Sequence, residues 1–226
     1  APNGADEPLE QVDEGDEFDP TSADPTLPQP GSPKEQFALQ LHLDLTASSA
    51  SGRSTYEQAL VDYALSALGE DQFDEPTPCS FVDIDSFNNE VRLRIDAYDL
   101  HEDEDDDRDV IDLFVVHGAS PIEKSEDGSA SLRIPSFDGA PVNALFRAAR
   151  RFVEESFGDL DREITHNLEA RDVARSIKAS KRLARVNLNL ITNAEVRQFD
   201  RSPEKVGNVE ILKRALDFNA LRRLLN

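Results

Sequence analysis

The run Val110-Ile-Asp-Leu-Phe-Val-Val-His117 constrains this chain more than any other stretch. Six of its eight residues are apolar, and it is far too short to span a bilayer. Near-continuous apolar character over such a length reads as a strand covered on both faces. Just upstream, Val91, Leu93 and Ile95 alternate with Glu90, Arg92 and Arg94, as in a half-buried strand reaching about Leu100. Only the acidic stretch His101 to Asp109 separates the two runs, so they are expected to pair as an antiparallel hairpin with Leu100 opposite Val110.

Helical patterns surround this hairpin. Ser32, Pro33 and Glu35 form a capping box. In the stretch that follows, Phe37, Leu39, Leu41, Leu43 and Leu45 alternate like a strand, but Leu, Ala and Gln favour a helix. Ser54 and Glu57 cap a second helix with Tyr56, Leu60, Tyr63, Ala64, Ala67 and Leu68 on one face, ended by Gly69. Glu70 to Pro78 reads as a polar link, and Leu132 to Ile134 as a short strand. Further helices are expected from Pro141 to Gly158 and from Ala170 to Ala184. Strands are expected at Val186–Thr192 and Val209–Arg214, and a closing helix at Asn219–Leu225. The sum is a mixed α/β domain over residues 32–226, with a central sheet carrying an antiparallel hairpin and flanked by helices.

Residues 1–31 differ. They hold six of the 13 prolines and almost no large apolar side chain, which predicts a disordered acidic tail. The net charge of −22 is uneven: −9 over residues 1–33, −16 over 34–120 and +3 over 121–226. An acidic front half repels nucleic acid and suits a solubilising coat or a protein partner, whereas the rear half is mildly basic. A single cysteine, Cys79, leaves no internal disulfide framework and fits a reducing cytoplasm. No apolar run is long enough for a membrane span. The chain lacks methionine altogether and stops inside an apparent helix, so it is expected to be the amino-terminal part of a longer protein, with the remainder of that chain as one partner.

Several chemistries lack the residues they need. The four histidines show no ligand spacing, no G-x-S-x-G is present, and the ten glycines are scattered rather than gathered into a phosphate loop. The acidic stretch after Leu100 lacks the glycine and glutamate positions of an EF-hand.

Two features remain. With Leu100 opposite Val110, Asp96 lies opposite Phe114 and shares a sheet face with Asp112. Two converging carboxylates can hold Mg²⁺, with Glu57 on the preceding helix in support, and a metal so held can activate water and clamp a phosphate. On the other reading, one of the two faces solvent or pairs with Arg92 or Arg94. Downstream, Arg171, Arg175, Lys178, Arg182 and Arg185 recur at spacings of 4, 3, 4 and 3, which places all five on one face of the expected Ala170–Ala184 helix. Such a stripe can neutralise a nucleic-acid backbone, dock in cis on acidic segments, or merely face solvent.

The order of a capped helix, Ile95-Asp-Ala-Tyr98, an acidic turn, Ile111-Asp-Leu-Phe-Val-Val116, a helix carrying Phe146 and Phe152, and Val186-Asn-Leu-Asn-Leu-Ile-Thr-Asn193 resembles the amino-terminal region of the AIPR family, the abortive-infection phage-resistance proteins of bacteria. The resemblance covers about residues 33–226. It implies a part in phage defence and a restriction-endonuclease-like fold of the PD-(D/E)xK type, in which Asp96 matches the first acid and Asp112 the second. The motif lysine is missing: its place falls on Phe114, or on Gly118 if the acid position is moved to Val116, and Lys124 is the nearest downstream. The resemblance therefore implies either a weakly Mg²⁺-dependent nuclease using Asp96, Asp112 and Glu57, or a lapsed one. A non-catalytic interaction or sensor module using the acidic surface is the alternative.

Overall fold

A computed structural model describes residues 27–52, 54–68, 76–103, 108–125 and 129–225. Most of the acidic tail and the tip of the acidic hairpin lie outside the described residues.

Among the described residues, six helices and ten strands follow in chain order: α1 (Pro33–Ala50), α2 (Tyr56–Leu68), β1 (Thr77–Ile84), β2 (Val91–Asp103), β3 (Arg108–His117), β4 (Ile122–Lys124), β5 (Ala130–Leu132), β6 (Ser136–Phe137), α3 (Gly139–Ser156), α4 (Leu160–Glu163), α5 (Leu168–Ala179), β7 (Leu183–Thr192), β8 (Glu195–Val196), β9 (Glu204–Val206), β10 (Val209–Leu216) and α6 (Phe218–Leu224). Six strands make one mixed sheet in the order β1-β2-β3-β7-β10-β9. The first three form an antiparallel meander. β3, β7 and β10 run parallel, and β9 closes the far edge antiparallel.

The mixed α/β expectation holds, and the layering explains it. β3 and β7 sit in the middle, so both of their faces are covered and most of their residues are buried, Asp112, Asn187 and Asn189 included. On one face Ile111, Leu113, Val115, Val186, Leu188 and Leu190 meet Val142, Phe146, Phe152 and Val153 of α3 and Val173 and Ile177 of α5. On the other, Phe114, Val116 and Ile191 meet Leu41 and Leu45 of α1, Leu60 and Ala64 of α2, and Leu221 of α6. Helix propensity decides α1, where Ser32 caps Glu35 through its hydroxyl.

Two expectations are corrected. The polar link before residue 79 ends in a strand, β1, which tolerates Pro78 because it is an edge strand. A bulge between Pro78 and Phe81 sets Ser80 at a φ of +45° and turns Phe81 inward onto Phe152, with ring centroids 5.8 Å apart. The expected Ala170–Ala184 helix stops at Ala179, because Leu183 already pairs with Asp109 in the sheet. No helix among the described residues is long and apolar enough to cross a membrane.

Candidate functional site

The hairpin register differs by one residue from the expected one. Leu100 pairs with Ile111 and Ala97 with Phe114, because the two strands extend to Asp103 and from Arg108 and consume part of the acidic loop. The slip puts Asp99, not Tyr98, directly opposite Asp112, and Ala97, not Asp96, opposite Phe114. Alternation along β3 sends Asp112 to the α1–α2 face, where it is 2% exposed. Its Oδ1 accepts from Asn189 Nδ2 at 2.6 Å and its Oδ2 from Asn187 Nδ2 at 3.2 Å, both on neighbouring β7. His101 Nε2 stands 3.6 Å from Asp112 Oδ2, and its Nδ1 stands 3.9 Å from Asp99 Oδ2.

Asp96 belongs to a separate cluster. Its Oδ2 accepts from Val116 N–H at 2.7 Å and from Arg94 Nε at 2.9 Å. Arg94 continues to Glu57 Oε2 at 2.7 Å and to the Val116 carbonyl at 2.6 Å. Glu57 in turn accepts from Gly118 N–H at 3.4 Å and lies 3.7 Å from His117 Nδ1. The guanidinium therefore stands between the two carboxylates that α2 and β2 bring together. Burial pushes the Asp96 carboxyl above its ordinary range, against the pull of Arg94 and the Val116 N–H. Burial also pushes Glu57 up, but His117, Arg94 and Gly118 outweigh it and hold that carboxyl below its ordinary value. Burial disfavours the Arg94 charge, yet Asp96 and Glu57 together raise its pKa.

Asp96 and Asp112 thus do not converge. Val116, which anchors Asp96, is four residues from Asp112, roughly 13 Å at the rise of a strand. Each carboxylate is already engaged, one by a guanidinium and the other by two amides. The residues present do not fit the Mg²⁺ seat expected of this pair. Among the described residues no group of three or more His, Cys, Asp or Glu is disposed to hold a metal.

The basic stripe is likewise dispersed. Arg171, Arg175 and Lys178 lie on α5, but Arg182 precedes β7 and Arg185 lies within it. Arg175 pairs with Asp172 at 3.1 Å, Lys178 with both Asp159 and Asp161 at 3.1 Å, Arg182 with Asp109 at 3.2 Å and Arg185 with Glu210 at 3.4 Å, while Arg171 lies 4.0 Å from Asp172. The charge that would meet a nucleic-acid backbone is largely matched within the fold.

The residue that sequence reasoning did not place at the centre is Arg94. Its signal is its position two before Asp96, on the same side of a strand. Asp99, Asn187 and Asn189 needed the correct register and the β3–β7 pairing. Beside the cluster, Gly118 has a positional requirement: a Cβ there would lie 2.8 Å from two ring carbons of Tyr56. That ring is fixed by hydrogen bonds of its hydroxyl with Asn193 at 3.0 Å and His42 at 3.1 Å, and burial pushes the phenol up to about 12. Gly118→Ala is expected to cost about 1–3 kcal/mol, read as a lowered thermal midpoint. A midpoint equal to wild type would mean that the ring yields freely.

Among known proteins, the family model described as the abortive infection phage resistance protein N-terminal domain matches residues 60–223. No curated protein and no solved structure matches.

Proposed function

Because the chain belongs to the abortive infection phage resistance proteins, through their N-terminal domain, we propose that it serves phage defence as a nuclease-type module that does not cut. The observation that carries this reading is Arg94. A nuclease of this type needs an exchangeable divalent cation among carboxylates to activate water and steady the phosphate. Here the space between Glu57 and Asp96 holds a tethered guanidinium, which only donates hydrogen bonds and cannot ionise a water. The absent lysine agrees, since Phe114 is buried in the core and Gly118 carries no side chain.

Titrating the chain with Mg²⁺ and Mn²⁺ in a calorimeter is expected to give no binding heat. Supercoiled plasmid and single-stranded RNA are expected to survive incubation with either metal. Metal-dependent cleavage that disappears in Asp112→Asn would overturn the reading.

A second reading, an adaptor that docks a protein through its acidic front half, is favoured by the β1–β2 hairpin. Val82, Ile84 and Val91 are exposed there and Phe87 is 98% exposed at the turn, beside Asp85 and Glu90. An edge strand with uncovered apolar side chains is a surface to which another strand can add.

A further inference from the structure

We propose that the cavity between the β8–β9 connection and α6 is a binding site for the phosphate of a nucleotide or of a nucleic-acid strand. This goes beyond the non-cutting reading and does not depend on it, because it uses neither the Glu57–Arg94–Asp96 cluster nor Asp112.

The cavity has a volume of about 860 Å³ and is lined by Phe199, Arg201, Asp217, Asn219, Arg222 and Arg223, among others. That volume lies within the range of pockets that take one small organic ligand, roughly 300–1,000 Å³. A second hollow shares Phe199 and Arg201 with it and reaches Arg197. Four arginines therefore gather at one place in a chain whose net charge is −22.

Two acids share the lining and keep their charge, each held by backbone N–H groups. Asp217 caps α6, accepting from Ala220 N–H at 3.0 Å, and also accepts from Val196 N–H at 3.4 Å. Asp200 accepts from Ser202 N–H at 2.9 Å. Arg201 and Arg223 form no ion pair among the described residues, unlike the matched stripe of α5 and β7, whereas Arg197 acts on the Glu195 carboxylate. Four arginines against Asp217 and Asp200 leave the lining with a net positive charge, which favours an anion, and the planar fork of arginine suits phosphate oxygens in particular.

Arg201 is also held in place. Its guanidinium lies 4.7 Å from the centroid of the Phe199 ring, and that ring packs on Phe146 with centroids 5.3 Å apart. A guanidinium stacked on a ring anchored in the main core has less rotamer freedom to lose when it meets a ligand. The start of α1 lies near the rim, through Lys34 on Glu195 and Phe37 on Phe218.

The test is fluorescence anisotropy on the 226-residue chain with labelled single-stranded RNA and DNA 12-mers, repeated with AMP, inorganic phosphate and polyglutamate as competitors. The variants are Arg201→Ala/Arg223→Ala in the cavity and Arg175→Ala on α5. Saturable binding that weakens roughly tenfold in the double variant, with a salt slope shallower by about 1.4, is expected, since each lost phosphate contact on a single strand removes about 0.7. Arg175→Ala is expected to bind as wild type. If AMP displaces the oligomer, a mononucleotide is sufficient; if only unlabelled oligomer displaces it, the ligand is a strand; either supports the site. Equal binding by the wild type and a double variant with an unchanged thermal midpoint would overturn the proposal. So would the absence of saturable binding, or competition by polyglutamate as strong as by nucleic acid at equal charge, which would make the cavity a general anion surface.

Discussion

Arg94→Met is expected to lower the stability of the chain by about 3–5 kcal/mol, the range for removing one partner of a buried ion pair. For a protein of this size that corresponds to a thermal midpoint lower by roughly 10 °C. Asp96 loses its cation while remaining 7% exposed, and the Val116 carbonyl loses a donor at 2.6 Å. Glu57 suffers less, since its side chain is 39% exposed and water can replace the guanidinium. The loss depends on pH with a definite sign. Burial already lifts the Asp96 carboxyl above its ordinary range, and without Arg94 nothing but the Val116 N–H opposes that push. Between the unfolded value, about 3.9, and the raised folded value, the native state holds a proton that the unfolded chain does not, so stability falls as pH rises through that window. The deficit relative to wild type is therefore full above the folded value and shrinks as pH falls toward 4. Urea midpoints at pH 8 and pH 5 check this. Equal deficits at both would show that Arg94 is not what keeps Asp96 ionised.

Asp112→Ala is the second large effect, expected at about 2–5 kcal/mol in urea denaturation. The carboxylate is the acceptor for the amides of Asn187 and Asn189, and both are buried. Truncation leaves the Asn187 amide without an acceptor and the Asn189 amide with only a long bond of 3.4 Å to the Asn187 carbonyl, at roughly 1–3 kcal/mol each. Replacing Asp112, Asn187 and Asn189 together by Leu removes donors and acceptor at once, and most of the loss is then regained. A triple variant as unstable as the single one would show that the amides do not depend on the carboxylate.

How much of this was legible in the sequence follows from the range of the interactions involved. Ser32, Pro33 and Glu35 announce α1, and the apolar run 110–117 announces a strand covered on both faces, because both signals are local. β1 is hidden because Pro78 closes a stretch that reads as a polar link, and only the edge position and the bulge let the segment serve as strand. The hairpin register was misread by one residue because the acidic stretch gives no apolar alternation to fix it. That slip exchanges Asp99 for Tyr98 opposite Asp112. The pairing of Asp96 with Arg94 was one of two open readings, and the choice between them depended on α2 bringing Glu57 and on the Val116 N–H, both distant in sequence. The basic stripe was drawn on a helix that ends early, where pairing with β3 overrides helix periodicity.

The parallel pairing at the middle of the sheet also bears on synthesis. Asp112 and its partner Asn187 are separated by 75 residues, so a growing chain carries β3 with one edge open while those residues are made. At roughly 5–20 residues per second that interval lasts several seconds. During it residues 1–120 contribute a net charge of −25, which sets neighbouring nascent chains to repel one another before the open edges can join.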